Sequence, residues 1–337
     1  MHLVVAGAGA LGTLFGASAW MGGDVRVTLV GRGEHVRVIN DCGVLLTDSQ
    51  GGGTRVGGAG LRAVVDMKQV DGPVDYLLFT VKDRDLESAL EDARFLRDRV
   101  GCVLSLLNGV DQEDRIGAVF GADAVVGALT MDGASMPAPG VIEHILASTT
   151  YVGEFSGART ERVEILAEAL RRGHLYTEVV PDIAAAKWTK FVQICGASGL
   201  CGVSRVGYAT ATRTEAGARL YVRLIMEGAA VMRAQGLEPG AYFTDAARVR
   251  EIANMAEDDA VVMVQGLAED LLQRGYTGST SLARDLQAGR PSEVDALMGA
   301  MSRTAERLGV DTPTMRAVYW AIKAADESNA RAHGPRG

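Results

Sequence analysis

The stretch HLVVAGAGALGTLFGA (residues 2–17) decides the fold of the first half of the chain. It places three glycines, in the pattern G-x-G-x-x-G, between an apolar run that suits a strand and one that suits a helix. In that context the first glycine makes a tight turn, the second lets the backbone approach a pyrophosphate, and the third allows close helix–strand packing. The helix N-terminus adds unpaired N–H groups and a positive dipole end. The motif predicts a Rossmann unit in which Gly7, Gly9, Leu11 and Gly12 bind a dinucleotide.

Short apolar runs alternate with amphipathic stretches over residues 2 to about 180, which is typical of a doubly wound α/β sheet. The runs are rich in β-branched residues and almost continuously apolar, so they predict buried parallel strands. These strands are predicted at 2–6, 25–30, 75–81, 102–107 and 123–129, with helices at 11–21 and 84–96. The glycine-rich segment 48–60 predicts a mobile hairpin or loop.

After about residue 181 the pattern predicts helices alone. Helix-like segments cover 183–197, 214–235, 245–275, 293–309 and 313–326, and glycines follow several of them as stop signals. The polar end of the chain predicts a frayed tail. We therefore expect an α/β Rossmann domain with a doubly wound, mainly parallel sheet (1–180), an all-α domain (181–326) and a flexible tail (327–337).

Composition and charge argue against several classes of function. The 34 basic and 42 acidic residues leave a net charge of −8, so no general attraction to nucleic acid or to an anionic membrane is expected. No apolar run approaches the ~18 residues of a transmembrane helix, and the N-terminus lacks the basic leader of a signal peptide. We expect a soluble, cytoplasmic protein. The four cysteines lack CxxC spacing and histidine partners, so neither a metal site nor a disulfide framework is expected.

The residue at the end of the second predicted strand bears on the choice of dinucleotide. An NAD site usually places an acid there, which accepts from the ribose 2′-hydroxyl. Here Arg32 stands in that place, and the first carboxylate is Glu34. A guanidinium suits a 2′-phosphate through charge-assisted contacts. The pattern favours NADPH, although Glu34 also lies within the reach of a ribose.

Two polar residues follow strands that end at the edge where ligands bind in open α/β sheets. Lys82 follows the third strand and Asn108 the fourth. Each also has an ordinary interpretation, because Lys82 can be a solvated lysine at a helix start and Asn-Gly is a turn signal. A side-chain amide at position 108 could reach the nicotinamide.

Glu293 has two local interpretations as well. It follows a Gly-Arg-Pro corner and lies in the first turn of a predicted helix, where acids are favoured by the helix dipole. Ser292 and Asp295 show the spacing of a capping box. On local evidence Glu293 is an ordinary first-turn acid, and a contact with a substrate is the alternative.

Taken together, five segments resemble the ketopantoate reductase family (2-dehydropantoate 2-reductases) over nearly the whole chain. They are GAGALG at the start, VK (81–82), LNGV (107–110), AKWTKF (186–191), and SLARDLQAGRPSEVDAL (281–297) followed by ERLGVDTPTM (306–315). The resemblance implies a Rossmann domain joined to a helical domain and the NADPH-dependent reduction of the keto group of ketopantoate. The implied partner is a small 2-oxo acid, and a homodimer is among the expected assemblies.

The resemblance also implies roles for individual residues. Lys190 matches the catalytic lysine, and Glu293 matches the glutamate that contacts the substrate hydroxyl. Asn108 matches the asparagine near nicotinamide and substrate, and Ser281 the serine that meets the substrate carboxylate. Arg32 and Lys82 match the basic residues around the adenosine phosphate. Lys187 competes with Lys190, and only the match separates the two.

Three departures from the family pattern concern the substrate. Asparagines often stand four and eight residues after the lysine, where this chain has Ile194 and Ser198, and Gly278 stands where another asparagine is common. We assign Ser198 to the substrate side with Ser281. The departures leave open a reductase of another keto or imino substrate, in secondary metabolism for example. A dinucleotide-binding regulator without catalysis is the third hypothesis, which the joint presence of Lys190 and Glu293 disfavours.

Overall fold

A five-stranded parallel sheet carries the glycine motif. In the computed structural model, which describes residues 1–48, 52–243 and 248–333, this sheet has the strand order β5-β2-β1-β6-β7. Its strands are β1 (His2–Ala6), β2 (Arg26–Val30), β5 (Leu61–Val64), β6 (Val74–Phe79) and β7 (Val100–Ser105), and every neighbouring pair is parallel. The predicted parallel α/β sheet is confirmed.

Both faces of this sheet are buried, because alternate residues of β1 enter two separate cores. Leu3 and Val5 pack with α1, α2 and α5, whereas Val4 and Ala6 pack with α3 and α4. The helices are α1 (Ala10–Met21), α2 (Gly33–Cys42), α3 (Leu86–Ala93), α4 (Gln112–Phe120) and α5 (Glu161–Arg172). A sheet covered on both faces explains the almost continuous hydrophobicity of its strands.

Seven further strands form two smaller sheets. The first has the order β4-β3-β10-β9 and the second the order β12-β11-β8. The strands are β3 (Val44–Asp48), β4 (Gly53–Val56), β8 (Gly127–Thr130), β9 (Gly133–Ala138), β10 (Val141–Leu146), β11 (Thr150–Gly153) and β12 (Thr177–Val179).

These sheets correct one prediction and confirm another. The run 123–129 is not one more parallel strand: β8 begins only at Gly127 and pairs antiparallel with β11, while Val125 makes a single parallel bridge to Val103. Strand β4 pairs antiparallel with β3, which confirms the hairpin that was one of the two alternatives for the segment 48–60. Residues 49–51 lie outside the described residues.

The chain divides into two compact units, Met1–Ala184 (unit 1) and Ala185–Gly337 (unit 2), and in the described part of unit 2 every regular element is helical. The predicted helix 245–275 is broken in two, and α7 and α11 were not predicted. The polar end continues α13, and residues 334–337 lie outside the described residues. The helices are α6 (Ile183–Ser204), α7 (Tyr208–Thr212), α8 (Glu215–Arg233), α9 (Val249–Ile252), α10 (Glu257–Gln273), α11 (Ser281–Gln287), α12 (Ala300–Leu308) and α13 (Pro313–His333).

Three glycines of α6 let other helices approach its axis closely. A methyl group on Gly196 would lie 2.7 Å from Ile225 in α8, and one on Gly202 would lie 2.7 Å from Ile322 in α13. At Gly199 the distances to Val318 and Leu224 would be 3.0 and 3.2 Å. The glycine-bearing face of α6 therefore packs tightly against α8 and α13.

The N-terminus of α13 is held by a carboxylate from α8. Glu227 accepts hydrogen bonds from the backbone N–H groups of Thr314 (2.9 Å) and Met315 (2.8 Å). Pro313, which has no N–H to satisfy, occupies the first helical position. This arrangement explains the TPTM segment: the cap comes from another helix and fixes α13 relative to α8.

His35 joins three parts of unit 1. It lies buried in α2, and its Nδ1 accepts a hydrogen bond from the N–H of Gly140 (2.9 Å), in the turn between β9 and β10. Because Nδ1 accepts, Nε2 carries the proton and donates to Oγ1 of Thr13 in α1 (3.0 Å). The structure thus requires neutral His35, and burial lowers the pKa of His35 below its ordinary value of 6.5.

This geometry predicts a pH dependence of stability. Below about pH 6.5 the unfolded chain takes up a proton that folded His35 resists, so the free energy of unfolding falls as the pH falls. We expect His35→Gln to reduce the loss of Tm between about pH 7.5 and 5.5 by about 2–4 °C. His2, whose pKa burial also lowers, accounts for part of the remaining loss.

The matched control is His174→Gln, at an exposed histidine of the same unit. It should leave the pH dependence of Tm unchanged. The interpretation of His35 is wrong if the two variants change that dependence equally.

Candidate functional site

The three motif glycines have the three environments that a pyrophosphate-binding turn requires. Gly7 has φ of +109°, a conformation that side chains disfavour, and makes the turn after β1. At Gly12 a methyl group would lie 2.3 Å from both the carbonyl oxygen of Gly7 and Oγ1 of Thr80, so α1 packs directly on the strand ends. At Gly9 a methyl group would meet nothing within 4 Å. Gly9 therefore borders open space where a ligand can approach the backbone.

The N-terminus of α1 opens toward that same space. Gly9 is the N-cap and provides no side chain to the first-turn N–H groups, and Leu11 lies half-buried in this turn. The first N–H groups of a helix have no partner within the helix and carry partial positive charge. The arrangement fits a pyrophosphate.

Arg32 is the basic residue that follows the second strand of the sheet. It lies directly after β2, where it is the exposed N-cap residue of α2. Within the described residues its guanidinium has no ion pair or hydrogen bond. Glu34 is paired with Arg37 (3.5 Å), which also pairs with Asp41 (3.1 Å). The nearest acid to Arg32 in sequence is thus already engaged, and Arg32 is available to an anion.

Lys82 and Asn108 follow the two strands next to β1. Because β1, β6 and β7 are parallel neighbours, Gly7, Lys82 and Asn108 all lie beyond the same edge of the sheet. Lys82 is exposed, and Asn108 is half-buried in the turn before α4. The sheet therefore gathers these predicted cofactor residues at one edge of unit 1.

Gln112 is a residue of this edge that the sequence did not single out. It is fully buried at the first position of α4, and neither its Oε1 nor its Nε2 has a hydrogen-bond partner among the described residues. Its amide fits beneath Gly109, where a methyl group would lie 2.6 Å from Nε2. Buried amides without partners are rare and costly. The sequence pattern LNGVDQ gives no sign of this burial.

In unit 2, α6 carries both candidate lysines. Lys187 and Lys190 are 5% and 6% exposed, so neither extends its ammonium group freely into water. Three residues apart, they lie about 60° from each other around the helix. Trp188 and Phe191 pack edge to face beside them, with ring centroids 5.5 Å apart. Burial rules out an ordinary surface lysine at either position, yet it leaves the choice between them to the family match.

Ser198 and Ser281, both assigned to the substrate side, lie on separate elements. Ser198 is buried in α6, two turns after Lys190. Ser281 is half-buried at the first position of α11, and Oγ1 of Thr280 caps that helix by accepting from the N–H of Ala283. The hydroxyl of Ser281 is therefore not needed as the cap.

A Schellman motif forms the corner before Glu293. Gly289, with φ of +65°, donates to the carbonyl of Leu286, and Arg290 donates to that of Asp285. The Arg290 guanidinium also binds the Asp285 carboxylate at 2.7 Å. α11 thus ends sharply, and the chain turns toward Glu293.

The capping box predicted for Ser292 and Asp295 is wrong. Ser292 accepts only from the nearby N–H of Val294, and the Asp295 carboxylate binds Lys323 (2.6 Å) and Tyr319 (2.9 Å) of α13. Burial opposes the ionisation of Asp295, but these hydrogen bonds outweigh it and lower its pKa. The helix begins instead with a π-helical turn, Asp295–Gly299.

Glu293 is half-buried just before this π-helical turn. Its carbonyl oxygen accepts from the N–H of Leu297 (3.0 Å), so its backbone starts the helix. Asp295 is the acid in the first turn of this π-helical segment, and Glu293 lies two residues before it, at the same end of the helix.

Two other features are absent from the part of the chain that the structure describes. Over residues 1–48, 52–243 and 248–333, no group of three or more His, Cys, Asp or Glu side chains is arranged to hold a metal ion. None of the helices in those ranges combines the length and the apolar character needed to cross a membrane.

Comparison with known proteins places the chain in a family. The model of the family "Ketopantoate reductase PanE/ApbA" matches residues 3–157, and that of its C-terminal domain matches residues 182–326. A 2-dehydropantoate 2-reductase from Pyrococcus horikoshii is 27% identical over 330 residues, which cover 97% of this chain and 98% of that protein.

Solved structures show the same fold. A PanE/ApbA family ketopantoate reductase from Ralstonia eutropha matches with a TM-score of 0.79 at 24% identity, over 98% of this chain and 99% of the other. D-mandelate dehydrogenase, in a ternary structure with NADH and anilino(oxo)acetate, matches with the same TM-score and coverage at 23% identity. The two domain matches together span most of the chain, so it belongs to the ketopantoate reductase PanE/ApbA family of oxidoreductases.

Proposed function

We propose that the chain catalyses the NADPH-dependent reduction of 2-dehydropantoate (ketopantoate) to pantoate. The observation that carries the proposal is the burial of Lys190 within a chain that matches the family in both domains. The joint presence of Lys190 and Glu293 argues against a regulator that only binds a dinucleotide, because such a protein needs neither residue. A cytoplasmic location and a homodimer stay predictions from the sequence.

The cofactor assignment rests on unit 1. The α1 N-terminus and the open space at Gly9 fit a pyrophosphate, and Leu11 belongs to that turn. Arg32, with Lys82 beyond the same sheet edge, supplies the positive charge that a 2′-phosphate needs and that a 2′-hydroxyl does not. When bound, NADPH would supply the hydride.

Residues of both units have proposed tasks toward the substrate. Lys190 donates a proton to the carbonyl oxygen as negative charge develops there, a task typically worth ~10²–10⁴-fold in rate. Glu293 accepts a hydrogen bond from the substrate hydroxyl. Ser281 and Ser198 donate to oxygen atoms of the 2-oxo acid, and the Asn108 amide binds near the nicotinamide.

The test is NADPH oxidation measured with ketopantoate and a panel of other 2-oxo and imino acids. We expect kcat/KM for ketopantoate of ~10⁴ M⁻¹s⁻¹ or more. A higher value for another member of the panel would favour the alternative, a reductase of a different keto or imino substrate. Tight NADPH binding without turnover of any substrate would favour the non-catalytic regulator.

One structural observation supports the alternative of a reductase that acts on a different keto or imino substrate. Ile194 places an apolar side chain one turn after Lys190, and it is half-buried rather than enclosed. At Gly278 a methyl group would lie 2.8 Å from the ring of Tyr276. Ile194 is the departure that lies nearest to Lys190 in the sequence.

The role of Arg32 predicts a change of cofactor preference. Arg32→Ala removes charge-assisted hydrogen bonds worth ~1.5–3 kcal/mol each, so the Kd for NADPH should rise by about one to two decades. The Kd for NADH should barely change, because NADH has no 2′-phosphate. Fluorescence titration of the reduced cofactors measures both constants.

Arg37→Ala is the matched control for Arg32, since it removes an exposed arginine of the same helix that already pairs with Glu34 and Asp41. It should leave both constants nearly unchanged. Equal losses of NADPH and NADH affinity in Arg32→Ala would contradict the assignment.

The role of Lys190 predicts a loss of rate rather than of cofactor binding. Lys190→Ala should lower kcat by ~10²–10⁴-fold, because the developing alkoxide loses its proton donor. NADPH affinity should change little, since the glycine motif and Arg32 belong to unit 1. Steady-state kinetics and cofactor titration separate the two effects.

Lys187→Ala is a stringent control, because Lys187 shares the helix, the charge and the burial of Lys190. Lys187→Ala should lower Tm more than it lowers kcat. Thermal unfolding and steady-state kinetics of both variants measure the two effects. A larger fall in kcat for Lys187→Ala, or less than a tenfold fall for both, would show that Lys190 is not the proton donor.

A further inference from the structure

One side of α13 packs closely against α6. Val318 and Ile322, one turn apart on α13, are buried there. A methyl group on Gly199 would lie 3.0 Å from Val318, and one on Gly202 would lie 2.7 Å from Ile322. Because no side chain of α6 separates the two helices at these points, α13 is held close to the helix that carries Lys190.

A neighbouring side of α13 binds the segment that carries Glu293. Tyr319, Lys323 and Asp326 follow one another at spacings of four and three residues, so they form one stripe along the helix. This stripe lies about 90° around α13 from the side that packs on α6. Helix α13 therefore contacts α6 with one side and the Glu293 segment with the next.

The hydrogen bonds from α13 lie on both sides of Glu293 in the sequence. Before it, the backbone N–H of Ser292 donates to Oδ1 of Asp326 at 2.9 Å. After it, the carboxylate of Asp295 accepts from Nζ of Lys323 at 2.6 Å. Both hydrogen bonds involve a charged group, and such bonds are stronger than those between neutral groups. Glu293 is thus flanked by two anchors on one helix.

The second anchor is an ion pair at the surface. The hydrogen bond to Asp295 raises the pKa of Lys323. Burial opposes the ionisation of Asp295, yet the hydrogen bonds from Lys323 and Tyr319 lower its pKa. The Asp295 side chain is 54% exposed, and exposed ion pairs contribute little to stability. Loss of this pair should therefore displace the segment more than it unfolds the protein.

The backbone around Glu293 has little regular helix to support it. The chain turns sharply at Gly289, four residues before Glu293. Just after Glu293, the N–H of Gly299 donates to the carbonyl of Val294 (3.0 Å), five residues earlier, in the π-helical turn. Such turns are rare and occur frequently at functional sites. The contacts with α13 supply the support that a regular helix would give.

We propose that Lys323 and Asp326 of α13 are positioning residues that fix Glu293 relative to the helix that carries Lys190. The proposal rests on the proposed function, because it takes Glu293 as a group that contacts the substrate. Lys323 and Asp326 themselves touch no substrate. They act through Asp295 and the backbone on either side of Glu293, and the packing of α13 on α6 relates that segment to the lysine.

The test is a double-mutant cycle on kcat/KM, measured with the acid of the 2-oxo and imino acid panel that the wild type reduces best. Glu293→Ala should lower kcat/KM by about 10- to 100-fold, because a hydrogen bond to a charged group is lost. Asp326→Ala should lower it by about 10-fold, since a small displacement of a substrate contact is costly. In the Glu293→Ala background, Asp326→Ala should change kcat/KM by less than about twofold, because the residue that it positions is gone.

Conservative variants separate positioning from general damage. Asp326→Asn keeps an acceptor oxygen in the same place and should retain most of kcat/KM. At the other anchor, Lys323→Met should act like Asp326→Ala, and Lys323→Arg, which keeps the positive charge, should retain much of the activity. If Asp326→Ala does not fold, Lys323→Met completes the cycle in its place. The Kd for NADPH should change in none of these variants, because the glycine motif and Arg32 belong to unit 1.

Asp311→Ala is the matched control. Asp311 is an exposed acid whose carboxylate pairs with Arg316 of α13 at 3.8 Å, so the variant removes an ion pair of the same helix away from the Glu293 segment. It should leave kcat/KM unchanged both in the wild type and in the Glu293→Ala background.

The outcomes distinguish the inference from the function on which it rests. If the wild type reduces no acid of the panel, or if Glu293→Ala is fully active, the proposed function or its assignment of Glu293 fails and the inference falls with it. If Glu293→Ala is impaired but the α13 variants lower kcat/KM by the same factor in both backgrounds, or do not lower it at all, the function stands. The positioning role of Lys323 and Asp326 is then overturned.

Discussion

No side chain fits at Gly12, and the candidate cofactor edge depends on that constraint. The Cα of Gly12 faces the carbonyl oxygen of Gly7 and the hydroxyl of Thr80, which donates to that same carbonyl at 2.7 Å. A methyl group would displace α1 from the ends of β1 and β6 together. Because α1 sits this close, its first turn reaches the space beside Gly9. The same helix then offers Thr13 to His35, so packing at one glycine also orders α2 and the β9–β10 turn.

The sequence predicted the parallel sheet well and the two small sheets poorly, for one physical reason. A strand buried on both faces needs apolar residues at every position, and β1, β2, β6 and β7 show that pattern locally. The strands β9 and β10 are partly exposed, and β10 also pairs with β3, which comes from a distant part of the chain. The run 123–129 was misread because its hydrophobicity reports burial, and burial does not distinguish parallel from antiparallel pairing.

The sequence predicted those parts of the candidate site in which the role of a residue depends on its neighbours in the chain. Gly7 and Gly12 have the conformation and packing that their spacing implies. The capping box failed because Asp295 has stronger partners in α13, 24 and 28 residues away. Gln112 could not be singled out from the sequence, because the lack of a hydrogen-bond partner depends on everything around an amide. Lys187 and Lys190 remain separated only by resemblance, since their burial is nearly equal.

The glycines of α6 bear on how unit 2 acquires its structure. Each glycine inside a helix costs ~1 kcal/mol relative to alanine, and α6 carries three of them within seven residues, Gly196, Gly199 and Gly202. The C-terminal half of α6 is therefore a weak helix by itself and gains its stability from α8 and α13. A nascent chain that ends at Ser204 contains all the residues of α6. It lacks α8 and α13, whose side chains pack against the glycines of α6 and stabilise it. The helix that carries Lys190 therefore depends for its stability on α8 and α13, which come later in the chain.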